Sequence, residues 1–218
     1  MGMKNYIKSS QIAWAEAWVS KPFRVAMISA LLVFLVFPWK ADDYFQWIQR
    51  RPGHVLADWV LERIPAFDVS KPIFTIIYLS VIYLLISLGS RPKTFLWFAW
   101  AFNIETLFRF ASIYWVALEP PIGLVDLHDP LAEIFIYGEN MAITKDLFFS
   151  GHTATMVFVA YFLPTKRGRL IALGLTGIIM GLLVIQHVHY SIDIIAAPVV
   201  TWISIQLSKK ALTNFGLF

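Results

Sequence analysis

The stretch His187-Val188-His189-Tyr190-Ser191-Ile192-Asp193 lies where two strongly apolar runs meet, residues 170–186 and residues 190–207. Ionisable side chains are costly to keep beside a membrane span, so this cluster is a functional candidate if its flanks are transmembrane. If a helix begins near His189, Asp193 lies one turn later on the same face and can accept a hydrogen bond from the imidazole. That bond would fix the tautomer of His189. The alternative is a pair of interfacial histidines followed by an aspartate at a helix start.

The composition is that of a membrane protein. Of the 218 residues, 58% are hydrophobic, and the mean hydropathy is +0.66, which is well above the range of soluble domains. The absence of cysteine excludes disulfides and thiolate metal sites. The formal net charge of +4 is modest, and the basic residues cluster beside the apolar runs, so the sequence predicts no nucleic-acid partner.

The apolar runs predict an all-α fold, a polytopic membrane protein with six transmembrane helices plus an N-terminal interfacial helix. The predicted spans are residues 22–38, 72–88, 95–118, 170–186, 190–207 and a fourth in chain order that consists mostly of 153–163 and could begin at Leu147. The corresponding domain boundaries are an amphipathic interfacial helix over 1–20, a six-span catalytic membrane domain over 21–210 and a cytoplasmic tail over 211–218. Pro38 is expected to close the first span, and a short amphipathic helix is expected over 55–64.

The distribution of lysine and arginine predicts the orientation of these spans. With the amino terminus in the cytoplasm, one side of the bilayer collects Lys4, Lys8, Lys21, Arg24, Arg91, Lys93, Lys166, Arg167, Arg169, Lys209 and Lys210. This positive-inside pattern puts both termini in the cytoplasm. Arg109, His152, His189 and Asp193 then converge at the opposite face, which predicts an active site on the periplasmic or luminal side.

A second motif is Asp146-Leu147-Phe148-Phe149-Ser150-Gly151-His152-Thr153. Ser150 is a suitable helix N-cap, and Gly151 lets the backbone approach a ligand, so amides at the helix start could face a phosphate. Arg109 suits phosphate oxygens because its guanidinium has a fixed charge and forked donors. The alternatives are an ordinary capped helix for Ser-Gly-His and a structural pair with Glu105 for Arg109.

These motifs resemble the sphingomyelin synthase family, a branch of the type 2 phosphatidic acid phosphatase superfamily. The resemblance rests on Asp146 with Ser150-Gly151-His152-Thr153, on His187-x-His189-Tyr190-Ser191-Ile192-Asp193, and on Arg109, Ser112, Tyr114 and Leu118 before Pro120-Pro121. It covers roughly the last half of the chain closely.

The resemblance implies an integral membrane headgroup phosphotransferase that works without metal or other cofactor. It implies that His189, polarised by Asp193, attacks the phosphorus of a phospholipid donor, and that His152 is the acid and base for an acceptor such as ceramide. The expected catalytic residues are thus His152, His189 and Asp193. The expected substrate-binding residues are Arg109, Tyr114, Lys145, Asp146, Ser150, Gly151 and His187, the last in a supporting role. A homo-oligomer is left open.

Several departures from the family keep alternatives open. Val188 replaces an acidic residue that the family has near the headgroup amine, so the headgroup is not determined. Thr144 and Lys145 replace a cysteine and a glycine, and Lys145 could contact phosphate. The alternative within the superfamily is a lipid phosphate phosphatase, which would have an arginine where Leu183 stands and an additional lysine-arginine-proline motif. A non-catalytic lipid-binding membrane protein and a zinc site at His187 and His189 are weaker alternatives.

Overall fold

The computed structural model describes residues 3–127 and 143–218. This part of the chain contains seven α-helices: α1 Met3–Val19, α2 Lys21–Arg50, α3 Ser70–Leu88, α4 Pro92–Trp115, α5 Gly151–Phe162, α6 Lys166–Gln186 and α7 Ser191–Asn214. A single 3₁₀ turn covers Leu61–Arg63, and an isolated β-bridge joins His54 to Leu118. The predicted all-α class is therefore confirmed for the described residues.

Four of the helices, α2, α3, α6 and α7, are long and apolar enough to cross a membrane. They fit an integral membrane protein, but the predicted count of six spans is not confirmed. Helix α4 is not among these four, and its sequence contains three charged residues, Lys93, Glu105 and Arg109. Helix α5 has only 12 residues, roughly 18 Å of helix, which is shorter than a hydrocarbon core of about 30 Å.

Helix α2 differs from its prediction because it continues through Pro38 to Arg50. The second half of α2 is held by packing, since Phe45 and Ile48 are buried in one cluster with Ile113 of α4. The expected helix over 55–64 is absent apart from the turn Leu61–Arg63. Packing therefore extends α2 beyond Pro38, whereas the helically spaced apolar residues over 55–64 do not form a continuous helix.

Helix α1 lies against the carboxyl end of α3. The side chains of Tyr6, Ser10 and Trp14 all donate hydrogen bonds to backbone carbonyls of that end, Tyr6 to Ile86 and the other two to Gly89. The last carbonyls of a helix have no partner within it, so these bonds satisfy groups that would otherwise need water. The location of α1 at a membrane interface stays a prediction.

The carboxyl terminus packs back onto the helices. Helix α7 continues to Asn214, and the segment expected to be a tail contributes Leu212 and Leu217 to a buried cluster with Phe23 and Leu96. The ends of α2, α4 and α7 therefore share one packed region.

The starts of α5 and α7, which carry the two histidine motifs, are joined directly. The backbone N–H of Ser150 donates to the carbonyl of Asp193 at 3.1 Å. Behind this bond, Phe149, Ala154 and Ala197 form a buried cluster. The two motifs are thus fixed relative to each other by backbone contact and by packing.

Candidate active site

A cavity of about 400 Å³ opens where the starts of α5 and α7 face α4. Its lining includes Arg109, His152 and His189, three of the residues that the sequence predicts to converge. Pockets of this size are typical of small-molecule sites. The fourth residue, Asp193, lies behind His189 and is fully buried.

The geometry of His189 and Asp193 differs from the expected hydrogen bond. Helix α7 begins at Ser191, and Asp193 Oδ2 accepts a hydrogen bond from the backbone N–H of Tyr190 at 3.0 Å. His189 Nδ1 lies 3.6 Å from the same oxygen, which is longer than a hydrogen bond. Asp193 therefore caps α7, and its carboxylate adjoins the imidazole without bonding to it. Catalytic hydrogen bonds often tighten only when substrate is bound.

His152 is the second residue of α5, and its ring faces the ring of His189. The two ring centroids are 6.1 Å apart with an interplanar angle of 62°. The ring of Phe74 also packs against His152, with centroids 5.7 Å apart and an interplanar angle of 67°. Ser150 caps α5 as predicted, since its hydroxyl oxygen accepts the N–H of Thr153 at 3.3 Å. The cap sets the direction in which His152 enters the cavity.

Arg109 is held by Asp146 and by the loop before α5. Its Nη2 donates to Asp146 Oδ2 at 2.6 Å, and its Nη1 donates to the carbonyl of Phe149. The structure therefore pairs Arg109 with Asp146 of the second motif. A guanidinium is a fixed cation with five N–H donors, which suits the binding of an anion.

Gly151 permits this position of Arg109. A Cβ atom built on Gly151 would lie 2.9 Å from Cζ and 2.9 Å from Nη1 of Arg109. Any side chain here would push the guanidinium away from the start of α5. The glycine thus places a fixed positive charge beside the helix amino terminus, which itself favours anions.

Lys145 lies outside the cavity lining, and its contact with phosphate stays a prediction. Its ammonium donates to Glu119 Oε1 at 2.8 Å and to the carbonyl of Arg51 at 2.8 Å. The hydrogen bond from Lys145 holds the pKa of the Glu119 carboxyl below its ordinary value. Lys145 therefore joins its own segment to the segments that carry Arg51 and Glu119.

Tyr114 and His187 also lie outside the cavity lining. Tyr114 is 53% exposed, and its ring stacks on that of Trp47 with centroids 5.4 Å apart. His187 ends α6 with a φ of 55°, and its Nε2 lies 2.9 Å from the carbonyl oxygen of Ile64. The supporting role of His187 stays a prediction, and the structure places Tyr114 on the surface.

Asp58 is a positioning residue that the sequence analysis missed. Its carboxylate accepts the backbone N–H of Ser191 at 2.6 Å and the hydroxyl of Ser191 at 3.1 Å. Burial raises the pKa of Asp58, but the hydrogen bonds from Ser191 and from the backbone outweigh burial and lower it. Asp58 therefore caps the helix that carries Asp193. No local signal links residues so far apart in the chain.

Two further carboxylates in the cavity lining were also missed as site residues, Glu105 and Asp126. Glu105 is only 4% exposed, and the sequence analysis considered it only as a partner of Arg109. The aromatic residues of the lining are Phe45, Phe74, Tyr78, Phe102 and Phe110. Among the described residues, no group of three His, Asp or Glu side chains is placed to hold a metal ion.

Residues 145–210 match the family described as PAP2 superfamily C-terminal. This segment includes Ser150-Gly151-His152, His189 and Asp193. A search of curated proteins gave no match. The match does not support the sphingomyelin synthase branch in particular. At the coarser level, it supports a place for this chain in the type 2 phosphatidic acid phosphatase superfamily, whose members are generally lipid phosphatases or phosphotransferases.

Proposed function

We propose that this protein transfers the phosphorylated headgroup of a glycerophospholipid to ceramide or a similar lipid alcohol through a phosphohistidine at His189. The observation that carries the proposal is the pair of facing imidazoles, whose centroids are 6.1 Å apart in one cavity with Arg109. Two histidines allow one to act as the nucleophile and the other as the acid and base.

In the first step, Nε2 of His189 attacks the phosphorus of the donor lipid. The bond from phosphorus to the diacylglycerol oxygen breaks, and His152 donates a proton to that oxygen. Asp193, 3.6 Å from Nδ1 of His189, stabilises the positive charge that develops on the ring. Diacylglycerol leaves, and the headgroup phosphate stays on His189.

In the second step, the hydroxyl oxygen of the acceptor lipid attacks the same phosphorus. His152 takes the hydroxyl proton, and the bond from phosphorus to His189 breaks. Arg109 and the first amides of α5 stabilise the charge on the phosphoryl oxygens in both steps. Both histidines return to their starting state at the end of the cycle.

The charge of the cavity supports a phosphodiester donor. Among the described lining residues, three carboxylates (Glu105, Asp126 and Asp146) face one guanidinium, which already pairs with Asp146. A phosphate monoester dianion would meet a single guanidinium among the described lining residues, one that already pairs with a carboxylate. A zwitterionic phosphodiester brings one negative charge to Arg109 and one cation, which suits carboxylates and aromatic rings. We therefore expect phosphatidylcholine or phosphatidylethanolamine to be better donors than phosphatidic acid.

The rival function is a lipid phosphate phosphatase, which the superfamily match also accommodates. Its chemistry would share the first step, and water would replace the lipid hydroxyl in the second. Both functions would form the same phosphohistidine, and they differ only in their products.

Product analysis separates these functions. Purified protein in liposomes is mixed with fluorescent ceramide and a panel of phospholipid donors, and phosphate release from phosphatidic acid is followed in parallel. We expect a phosphorylated ceramide product with the wild type and none with His189→Ala or Asp193→Ala. His54→Ala is the matched control, because the His54 side chain is exposed and lies outside the cavity lining. Phosphate release without a lipid product would overturn the transferase proposal.

The proposed topology has both termini in the cytoplasm and the active site on the periplasmic or luminal face. The chain has no cysteine, so single cysteines can report the side of the membrane. We expect Ile122→Cys, in the loop after α4, to react with an impermeant maleimide from the outer side only. Lys166→Cys, at the start of α6, should react only after permeabilisation. The reverse pattern would refute this orientation.

A further inference from the structure

A second cavity of about 470 Å³ lies between the start of α2, the middle of α4 and the end of α7. We call it the α2–α7 groove. Its wall is formed mainly by the apolar side chains of Pro22, Val25, Ala26, Trp100, Ile104, Ala211, Leu212 and Phe215. It shares no described lining residue with the catalytic cavity. Phe23 and Leu212 belong to the buried cluster beneath it, so the groove is preformed by packing.

The polar atoms of this wall are satisfied within the protein. The hydroxyls of Ser29 and Ser208 donate to carbonyls of their own helices, at 2.7 Å and 2.9 Å. The indole N–H of Trp100 donates to the carbonyl of Ala26 at 3.0 Å. A ligand in the groove therefore meets hydrocarbon on all sides except at Lys21.

Lys21 is the one charged residue of the groove lining among the described residues. Within residues 3–127 and 143–218 its ammonium has no hydrogen bond or ion pair. Residues 21–41 and 194–218, which include both the start of α2 and the end of α7, contain Lys21, Arg24, Lys40, Lys209 and Lys210 but no Asp or Glu. The groove thus combines an apolar wall with one lysine that has no ion-pair partner among the described residues.

We propose that the α2–α7 groove binds an anionic phospholipid of the bilayer, with an acyl chain along the apolar wall and the phosphate at Lys21. Basic residues at the mouth of a pocket between membrane helices are suited to anionic headgroups. The amino terminus of α2, which begins at Lys21, adds a favourable dipole. A neutral or zwitterionic lipid would fill the wall equally well but would gain less from this positive end. This inference does not depend on the proposed transferase activity.

The test measures lipid binding to the full-length protein without any assay of catalysis. Purified protein is titrated with phosphatidylglycerol or with phosphatidylcholine, and the retained lipid is counted by native mass spectrometry, with thermal unfolding followed in parallel. We expect phosphatidylglycerol to be retained in preference to phosphatidylcholine and to raise the unfolding temperature more. In Lys21→Gln, retention of phosphatidylglycerol should weaken about fivefold, the loss expected for one lysine near an anionic headgroup.

Two further variants make the result decisive. Ala211→Phe fills the groove from an exposed helical position and should reduce the retention of both lipids. Lys166→Gln removes an exposed lysine outside the groove lining and should leave retention unchanged. Equal retention of the two lipids by the wild type, or unchanged retention in Lys21→Gln, would identify annular lipid only and overturn the proposal.

Discussion

Replacement of Gly151 by alanine tests whether the position of Arg109 controls catalysis. The added Cβ would lie 2.9 Å from Cζ of Arg109. Because the guanidinium is also held by Asp146 and by the carbonyl of Phe149, the clash can be relieved only by moving it away from the start of α5. To restore an ordinary van der Waals distance, the guanidinium must move by roughly 0.5–1 Å. A misplacement of about 1 Å can cost on the order of 100-fold in rate.

We therefore expect Gly151→Ala to lower kcat/KM for headgroup transfer by roughly 10- to 100-fold. Folding should be little affected, because alanine is a better helix former than glycine by about 1 kcal/mol. The assay is transfer kinetics, with thermal unfolding measured on the same preparations. Loss of activity without loss of thermal stability would locate the effect in the site.

A double-mutant cycle shows whether the effect passes through Arg109. Once Arg109→Ala has removed the guanidinium, adding Gly151→Ala should lower the activity little further. The effects of substitutions at residues that act as a unit are not additive. Full activity in Gly151→Ala would refute the reasoning. An equal loss in both backgrounds would also refute it, since the glycine would then act independently of Arg109.

Three further predictions concern the surroundings of the site. Asp58→Ala should destabilise the protein by about 1–2 kcal/mol in chemical unfolding, as expected for loss of a helix cap, and an unchanged midpoint would contradict this role. The lowered pKa of Glu119 means that its pair with Lys145 stabilises the fold fully above the ordinary value of 4.5, and that this stability is lost as the pH falls through the lowered folded-state pKa. Glu119→Gln should therefore flatten the pH dependence of the unfolding temperature below that value, and an unchanged profile would argue against it. If the carboxylate of Asp193 stabilises charge on His189 in the transition state, Asp193→Asn should lower kcat by a larger factor than it changes KM. A change in KM alone would assign the carboxylate to substrate binding.

The helical architecture and the two histidine motifs were predictable because their signals are local. Apolar runs of sufficient length indicate membrane helices, and Ser150 is a residue type that favours a helix N-cap. Four of the expected spans have helices of suitable length and hydropathy, whereas the spans predicted at α4 and α5 are not confirmed. The end of α2 was misplaced because Pro38 is a strong local signal, and packing of Phe45 and Ile48 against α4 overrides it.

The partners of the charged residues were decided only by the tertiary structure. Spacing offered Glu105 as an alternative partner for Arg109, and the fold also brings Asp146 to Arg109 and Glu119 to Lys145.

The capping of α7 by Asp58 likewise joins segments that no periodicity relates. By itself, the sequence determined an all-α, membrane-type chain with histidines at two helix starts, because helix formation and capping depend on neighbours within a few residues. Which carboxylates face which cations depends on how the helices pack, because partners distant in the chain meet only when the fold brings them together.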